Sequence, residues 1–151
     1  MKQRSIGIMK VLLPMLAMAL AVSGRAQSAT CTMASLSGAY AFTVTGQFVA
    51  GPPMGPIAGV AMTTFDGKGG LSQVDHVLHN GVPPLEDWRP GAGTYTVNGN
   101  CTGTATINFT DGSPSLKLYF VLGKEGHEIR TVVSNSEAAI TSIGVRVNSP
   151  F

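Results

Sequence analysis

Gly93-Thr94-Tyr95-Thr96-Val97-Asn98-Gly99-Asn100-Cys101-Thr102-Gly103-Thr104 is the stretch on which the fold turns. Thr, Tyr and Val are residues that suit a pleated, half-buried surface. They run up to Asn98-Gly99 and resume beyond it. Asn-Gly tolerates the positive φ that both central residues of a type I′ turn require, so the pair predicts a tight hairpin. Two strands are expected to meet there, Tyr95–Val97 against Cys101–Thr104.

The same punctuation extends outward in both directions. Short runs rich in Thr, Val, Ile, Tyr and Phe are separated by Gly, Pro, Asn and Asp, and no 3.6-residue apolar pattern of useful length interrupts them. Strands are expected near Gly38–Phe48, Pro56–Phe65, Gly70–His79, Gly93–Val97, Cys101–Thr110, Ser115–Leu122, His127–Ser134 and Ala138–Val147. The connections Asp66-Gly67-Lys68-Gly69-Gly70, Asp111-Gly112-Ser113-Pro114 and Gly123 to Gly126 have turn chemistry. Eight consecutive antiparallel strands leave two raw edges unless the sheet closes, and eight is the number at which side chains just fill a closed interior. The expected fold is therefore all-β, an antiparallel up-and-down β-barrel of about eight strands, with a two-sheet sandwich as the alternative. Tyr40, Phe42 and Val44, then Gly93, Tyr95 and Val97, then Leu116, Leu118, Phe120 and Leu122 supply one apolar face by alternation, which leaves Tyr119 on the opposite parity.

Two proline-bearing segments, 50–56 and 81–91, are expected as loops at the barrel rim, because proline is poorly accommodated in the centre of a sheet. The second carries Trp88, the only Trp of the chain, with Glu86, Asp87 and Arg89.

Charge is unevenly placed. The chain of 151 residues has a formal charge of +2, yet four of its ten basic residues (Lys2, Arg4, Lys10, Arg25) precede position 27 and all eight acidic ones follow it. A basic start, the apolar run Val11–Val22 and the small residues of Ser23-Gly24-Arg25-Ala26 form the pattern of a secretory signal peptide cut after Ala26, with Ser28 and Ala29 as other cut sites. A membrane-spanning helix would need about 20 apolar residues, and this run is shorter and broken by Pro14. The expected organisation is a leader over 1–26 and one domain over 27–151, secreted or periplasmic, meeting a membrane only during export. Removing the leader leaves six basic against eight acidic residues, a net charge of −2. Without a Lys/Arg cluster that chain offers no phosphate footprint, so nucleic acid is not an expected partner. In an oxidising compartment the only two cysteines, Cys31 and Cys101, read as one disulfide.

Three blocks carry a resemblance: Cys31–Tyr40 (CTMASLSGAY), Thr64–Gly70 (TFDGKGG) and Gly93–Thr104 (GTYTVNGNCTGT). In this order they resemble a group of small secreted bacterial proteins. Their order and the chain length are similar to the allene oxide cyclase-like, lipocalin-related barrel, whose relatives include cyclases and small-ligand binders. The resemblance implies a barrel and either ligand binding or cofactor-independent cyclase or isomerase chemistry. It carries no catalytic residue onto a numbered position.

Acid–base chemistry needs an ionisable group in a partly dry cavity. Asp75, His76, Glu86, Glu128 and Arg130 are the few polar residues near or within apolar strands; Asp75, His76, Glu128 and Arg130 are the catalytic candidates. The bland reading makes Glu128 and Arg130 a surface pair and turns His76 to solvent. Tyr40, Phe42, Trp88, Tyr95 and Phe120 are the candidate ligand-binding residues. His76 and His79 look like a metal pair, but residues three apart on a strand face opposite sides, so no metal site and no cofactor are expected. No nucleophile elbow, P-loop, metalloprotease His pair or dinucleotide fingerprint is present. An outer-membrane barrel is opposed by Pro150 in the closing segment and by the low aromatic content, 7%, too little for two interfacial girdles. The expected function is binding of a small apolar or amphipathic ligand in the lumen or at the rim loops. A cyclase or isomerase, or an interaction module that forms a homo-oligomer through Thr-rich outer faces, are the alternatives.

Overall fold

A computed structural model describes residues 30–148; the proposed leader and the last three residues lie outside them. The strands are β1 (Ser37–Phe48), β2 (Gly55–Asp66), β3 (Gly70–His79), β4 (Arg89–Val97), β5 (Thr102–Phe109), β6 (Leu116–Gly123), β7 (Glu128–Val133) and β8 (Ala138–Arg146). Each pairs antiparallel with its neighbours in sequence, and β1 also pairs with β8, from Tyr40↔Arg146 to Phe48↔Ala138. The sheet is a closed up-and-down barrel. It is compatible with a lipocalin-like architecture; the sandwich is not formed.

The alternation read from the sequence is the alternation of burial. Tyr40 and Phe42, Phe65, Leu71, Tyr95, Ala105 and Ile107, and Phe120 point inward. Tyr119, of opposite parity, is exposed, as are Val60, Val121, Ile143 and Val145 on the outer wall.

One end of the barrel is plugged. A 3-10 turn, Met33–Ser35, leads into Leu36, which has no exposed surface. Above it Tyr40, Phe65 and Tyr95 pack edge to face, with ring centroids 5.4 and 5.1 Å apart. The Tyr95 hydroxyl donates to the Leu36 carbonyl at 2.8 Å, the Tyr40 hydroxyl donates to the Gly126 carbonyl, and Arg146 Nε donates to the Tyr40 oxygen at 3.1 Å. Buried tyrosines need partners for their hydroxyls, and the plug supplies them. Close packing in this half also depends on absent side chains: a Cβ at Gly103 would collide with the Phe120 ring and the Thr96 carbonyl oxygen. The Cys31–Cys101 disulfide, closing a separation of 70 residues, ties the plug to the β4–β5 turn. The bond is consistent with an extracellular or periplasmic setting. No helix among the described residues is long and apolar enough to cross a membrane.

Two expectations need correction. The hairpin at Asn98 is not a two-residue type I′ turn. Asn98 N–H donates to the Thr102 carbonyl at 2.8 Å and Cys101 N–H to the Asn98 carbonyl at 2.9 Å, and the left-handed conformation falls on Cys101, φ 65°. The loop thus holds three residues, and the register becomes Tyr95↔Ala105 and Val97↔Gly103. Side chains account for the longer loop: the Asn100 carboxamide oxygen accepts from the Thr102 N–H and hydroxyl, at 3.2 and 2.7 Å. The second correction is the start of β4, at Arg89 rather than Gly93, which brings Pro90 into the sheet. Pro56 likewise lies in β2. Each is the second residue of its strand and sits just outside a ladder, since β2–β3 pairing starts at Ile57 and β4–β5 pairing at Gly91. A missing N–H is tolerated there.

Candidate binding lumen

The barrel end opposite the plug is formed by the long connections 49–54 and 80–88 and by the short ones at 110–115 and 134–137. Below them the interior holds a cavity of about 370 Å³. That volume falls within the range of small-molecule sites. Its wall is chiefly apolar, with Phe42, Phe48, Ile57, Leu116, Leu118 and Phe120 among the lining residues.

A polar stripe crosses this wall along β2, β3 and β4. Thr63 donates to the Gln73 carboxamide oxygen at 3.0 Å, and Gln73 Nε2 donates to Asp75 at 3.2 Å. Arg89 then grips Asp75 with two parallel bonds, Nε to Oδ1 and Nη2 to Oδ2, both 3.0 Å. Strand alternation turns Gln73 and Asp75 to the same side as Leu71, and the pairing Asp75↔Arg89 sets the guanidinium opposite the carboxylate. Arg89 Nη1 reaches Ser113 Oγ at 3.5 Å and lies 3.7 Å from Asp111. The guanidinium stands 3.7 Å over the centre of the Phe109 ring. Burial pulls the Arg89 pKa down, but the hydrogen bonds and charges of Asp75 and Asp111 outweigh it and hold the group above its usual value. The Asp111 carboxyl sits below the ordinary range because the Ser113 N–H, at 2.9 Å, and then the Ser113 hydroxyl hydrogen-bond to it, with Arg89 adding a smaller pull. Asp75 is 4% exposed. A carboxylate so buried depends on its partner, because a buried charge stripped of its counter-ion typically costs 3–5 kcal/mol.

Across the lumen, Thr131 and Ser142 share a hydrogen bond of 2.7 Å. His79 also lines the cavity, edge-on to Phe48; its Nε2 is buried without a hydrogen-bond partner.

Of the candidate residues, Asp75, Phe42 and Phe120 line the lumen. Tyr40 and Tyr95 lie below it, in the plugged end. His76 lies on the outer wall, its Nδ1 2.6 Å from the Asp87 carbonyl oxygen and its ring against Trp88. Trp88 is 54% exposed and is not among the lining residues. A ligand in the lumen would not meet it. Glu86 is exposed on the rim loop. Glu128 and Arg130 are outside the barrel, joined to each other and to Lys124: Arg130 Nε lies 2.7 Å from Glu128, and Lys124 Nζ is also at 2.7 Å. The hydrogen bond from Lys124, and then that from Arg130, hold the Glu128 carboxyl below its usual range. The cluster lies on the outer wall, where Arg130 and Lys124 are exposed but Glu128 itself is only 9% exposed. His76 and His79 face opposite sides of β3, and among the described residues no group of three His, Cys, Asp or Glu is arranged to hold a metal ion.

Sequence reasoning missed Thr63, Gln73, Arg89 and Asp111 as parts of one polar stripe. Parity with Leu71 marks Gln73 as inward. Arg89 shares the parity of Gly91, Gly93 and Tyr95, but a strand read from Gly93 leaves it in the preceding loop. No protein-family model matches the chain, and no curated protein matches it at a significant level.

Proposed function

We propose that this is an exported carrier or sensor that binds one small, predominantly apolar molecule in its lumen. The observation that supports the reading is an apolar cavity of about 370 Å³ closed below by the aromatic plug and opening toward the loop-bearing rim. Most of the wall can desolvate hydrocarbon, while the Thr63–Gln73–Asp75–Arg89 stripe and the Thr131–Ser142 pair offer a few fixed polar contacts, the usual division of labour in a ligand site. A second reading, a cofactor-independent cyclase or isomerase, would use Asp75 as its general base, because that carboxylate is buried in the lumen. Both Asp75 oxygens are already engaged by Arg89, which favours binding over proton transfer.

The test is titration with N-phenyl-1-naphthylamine, an uncharged dye whose emission rises in apolar surroundings. A saturable increase at one dye per chain is expected. No increase with the folded, oxidised protein would refute the reading.

A further inference from the structure

The charges around the lumen narrow the class of ligand, on the footing of the binding reading above. Arg89 is the only guanidinium or ammonium group among the described lining residues, against the carboxylates of Asp75, Asp111 and Glu137. Nor is that cation free. Its Nε and Nη2 are given to Asp75, its Nη1 is directed toward Ser113 and Asp111, and its face is covered by Phe109. An incoming carboxylate would have to compete for Arg89 with a fixed, buried anion; the other basic lining group, the His79 imidazole, has an unpartnered Nε2 that offers one hydrogen bond to a neutral or a charged head alike. Taking the carboxylate out of water without compensation is strongly unfavourable. A hydroxyl, carbonyl or amide carries no such penalty, since it can exchange hydrogen bonds with Thr131, Ser142, Gln73 or Asp75.

We propose that the lumen accepts an uncharged amphiphile with a hydrogen-bonding head and rejects the same molecule bearing a carboxylate. At about 30 Å³ for each saturated carbon group, about the share of a water molecule, a cavity of about 370 Å³ has room for about a dozen such groups, or for the flatter, more closely packed atoms of a compact aromatic such as N-phenyl-1-naphthylamine. The ligand is thus a short chain or a compact ring system rather than a long lipid.

Decan-1-ol and decanoate match that size and differ in the head alone. Each is titrated against the protein carrying N-phenyl-1-naphthylamine at neutral pH, where the acid is ionised. Decan-1-ol should displace the dye at least about tenfold more tightly than decanoate does, a factor of ten being about 1.4 kcal/mol. Equal affinities, or tighter binding of decanoate, overturn the proposal. Asp75→Asn removes one carboxylate and releases Arg89 from its charged partner, so the ratio of decanoate to decanol affinity should rise about tenfold. An unchanged ratio in folded Asp75→Asn overturns the assignment of selectivity to this pair. If that variant does not fold, Asp111→Asn with Glu137→Gln at the rim must shift the ratio in the same direction. A protein that binds the dye but neither decyl compound refutes this inference alone, whereas one that binds none of the three refutes the binding reading beneath it.

Discussion

Replacing Ala105 by Leu asks directly whether the lumen is empty. Ala105 points inward from β5, opposite Tyr95 and Leu118 in the two ladders, and lines the cavity. Leu adds three carbon atoms. If they enter vacant apolar space, burial at about 0.8 kcal/mol per methylene contributes about 2.4 kcal/mol. Ordering the longer side chain costs about 0.5–1 kcal/mol, which leaves a net stabilisation of about 1.5 kcal/mol. If the position is already packed, the same change overfills the core and destabilises by about 1–3 kcal/mol. The sign therefore decides between a void and a filled barrel. In thermal denaturation followed by circular dichroism, Ala105→Leu should raise the melting temperature by about 3–8 °C, and it should weaken N-phenyl-1-naphthylamine binding at least about tenfold by occupying the site. Gly103→Ala, two residues away on the same inward face, is the control. Its new Cβ meets the Phe120 ring and the Thr96 carbonyl oxygen, so destabilisation by about 1–3 kcal/mol is expected. A lower melting temperature for Ala105→Leu, with dye binding unchanged, would refute the claim that this part of the lumen is open.

Reduction of the Cys31–Cys101 bond releases a loop of 70 residues, and the chain-entropy model puts its contribution near 4 kcal/mol; guanidinium unfolding with and without reductant should show a loss of that order, and overlapping curves would contradict it. Tyr95→Phe removes the donor to the Leu36 carbonyl while keeping the ring, so it should destabilise by about 1–3 kcal/mol; a change within error would show that water replaces the bond. The carboxyls of Asp66, Asp111 and Glu128 all titrate below their ordinary values in the folded chain, Asp66 chiefly through the N–H groups of Lys68 and Gly70. Depressed carboxyl pKa values give stability that is complete above the unfolded values of about 4 and is lost as pH falls through the folded ones. Melting temperature should hold from neutral pH to about 5 and then decline, more shallowly in Asp66→Asn; a profile flat to about pH 2.5 would refute the contribution of these contacts.

The polar side of the lumen was only half legible in the residues. Asp75 stands among Leu71, Val77 and other strand formers, so alternation alone turns it inward, and Phe42 and Phe120 follow in the same way. Arg89 was hidden because it precedes Pro90 in a segment whose local chemistry reads as loop. Its place in β4 depends on pairing with Asp75, fourteen residues earlier. Glu128 shows the reverse failure. A lone acid beside apolar strand residues looks like a site, yet its parity, opposite to that of the inward Ile129 and shared with Arg130, turns it outward to Lys124 and Arg130.

What the residues determine unaided is what depends on near neighbours. Period-two alternation sets the two faces of every strand, Gly- and Asp-rich turns set their number and direction, and two cysteines leave one intramolecular pairing. Tertiary structure decided the rest: the closing of β1 on β8, the three-residue loop at Cys101, the plugging of one end by Leu36, and the space above it. Those features depend on how far each strand slides along the next. That stagger is set by contacts between residues distant in the chain, and a shift in the Asn98 hairpin alone re-pairs every residue of β4 with a different partner on β5.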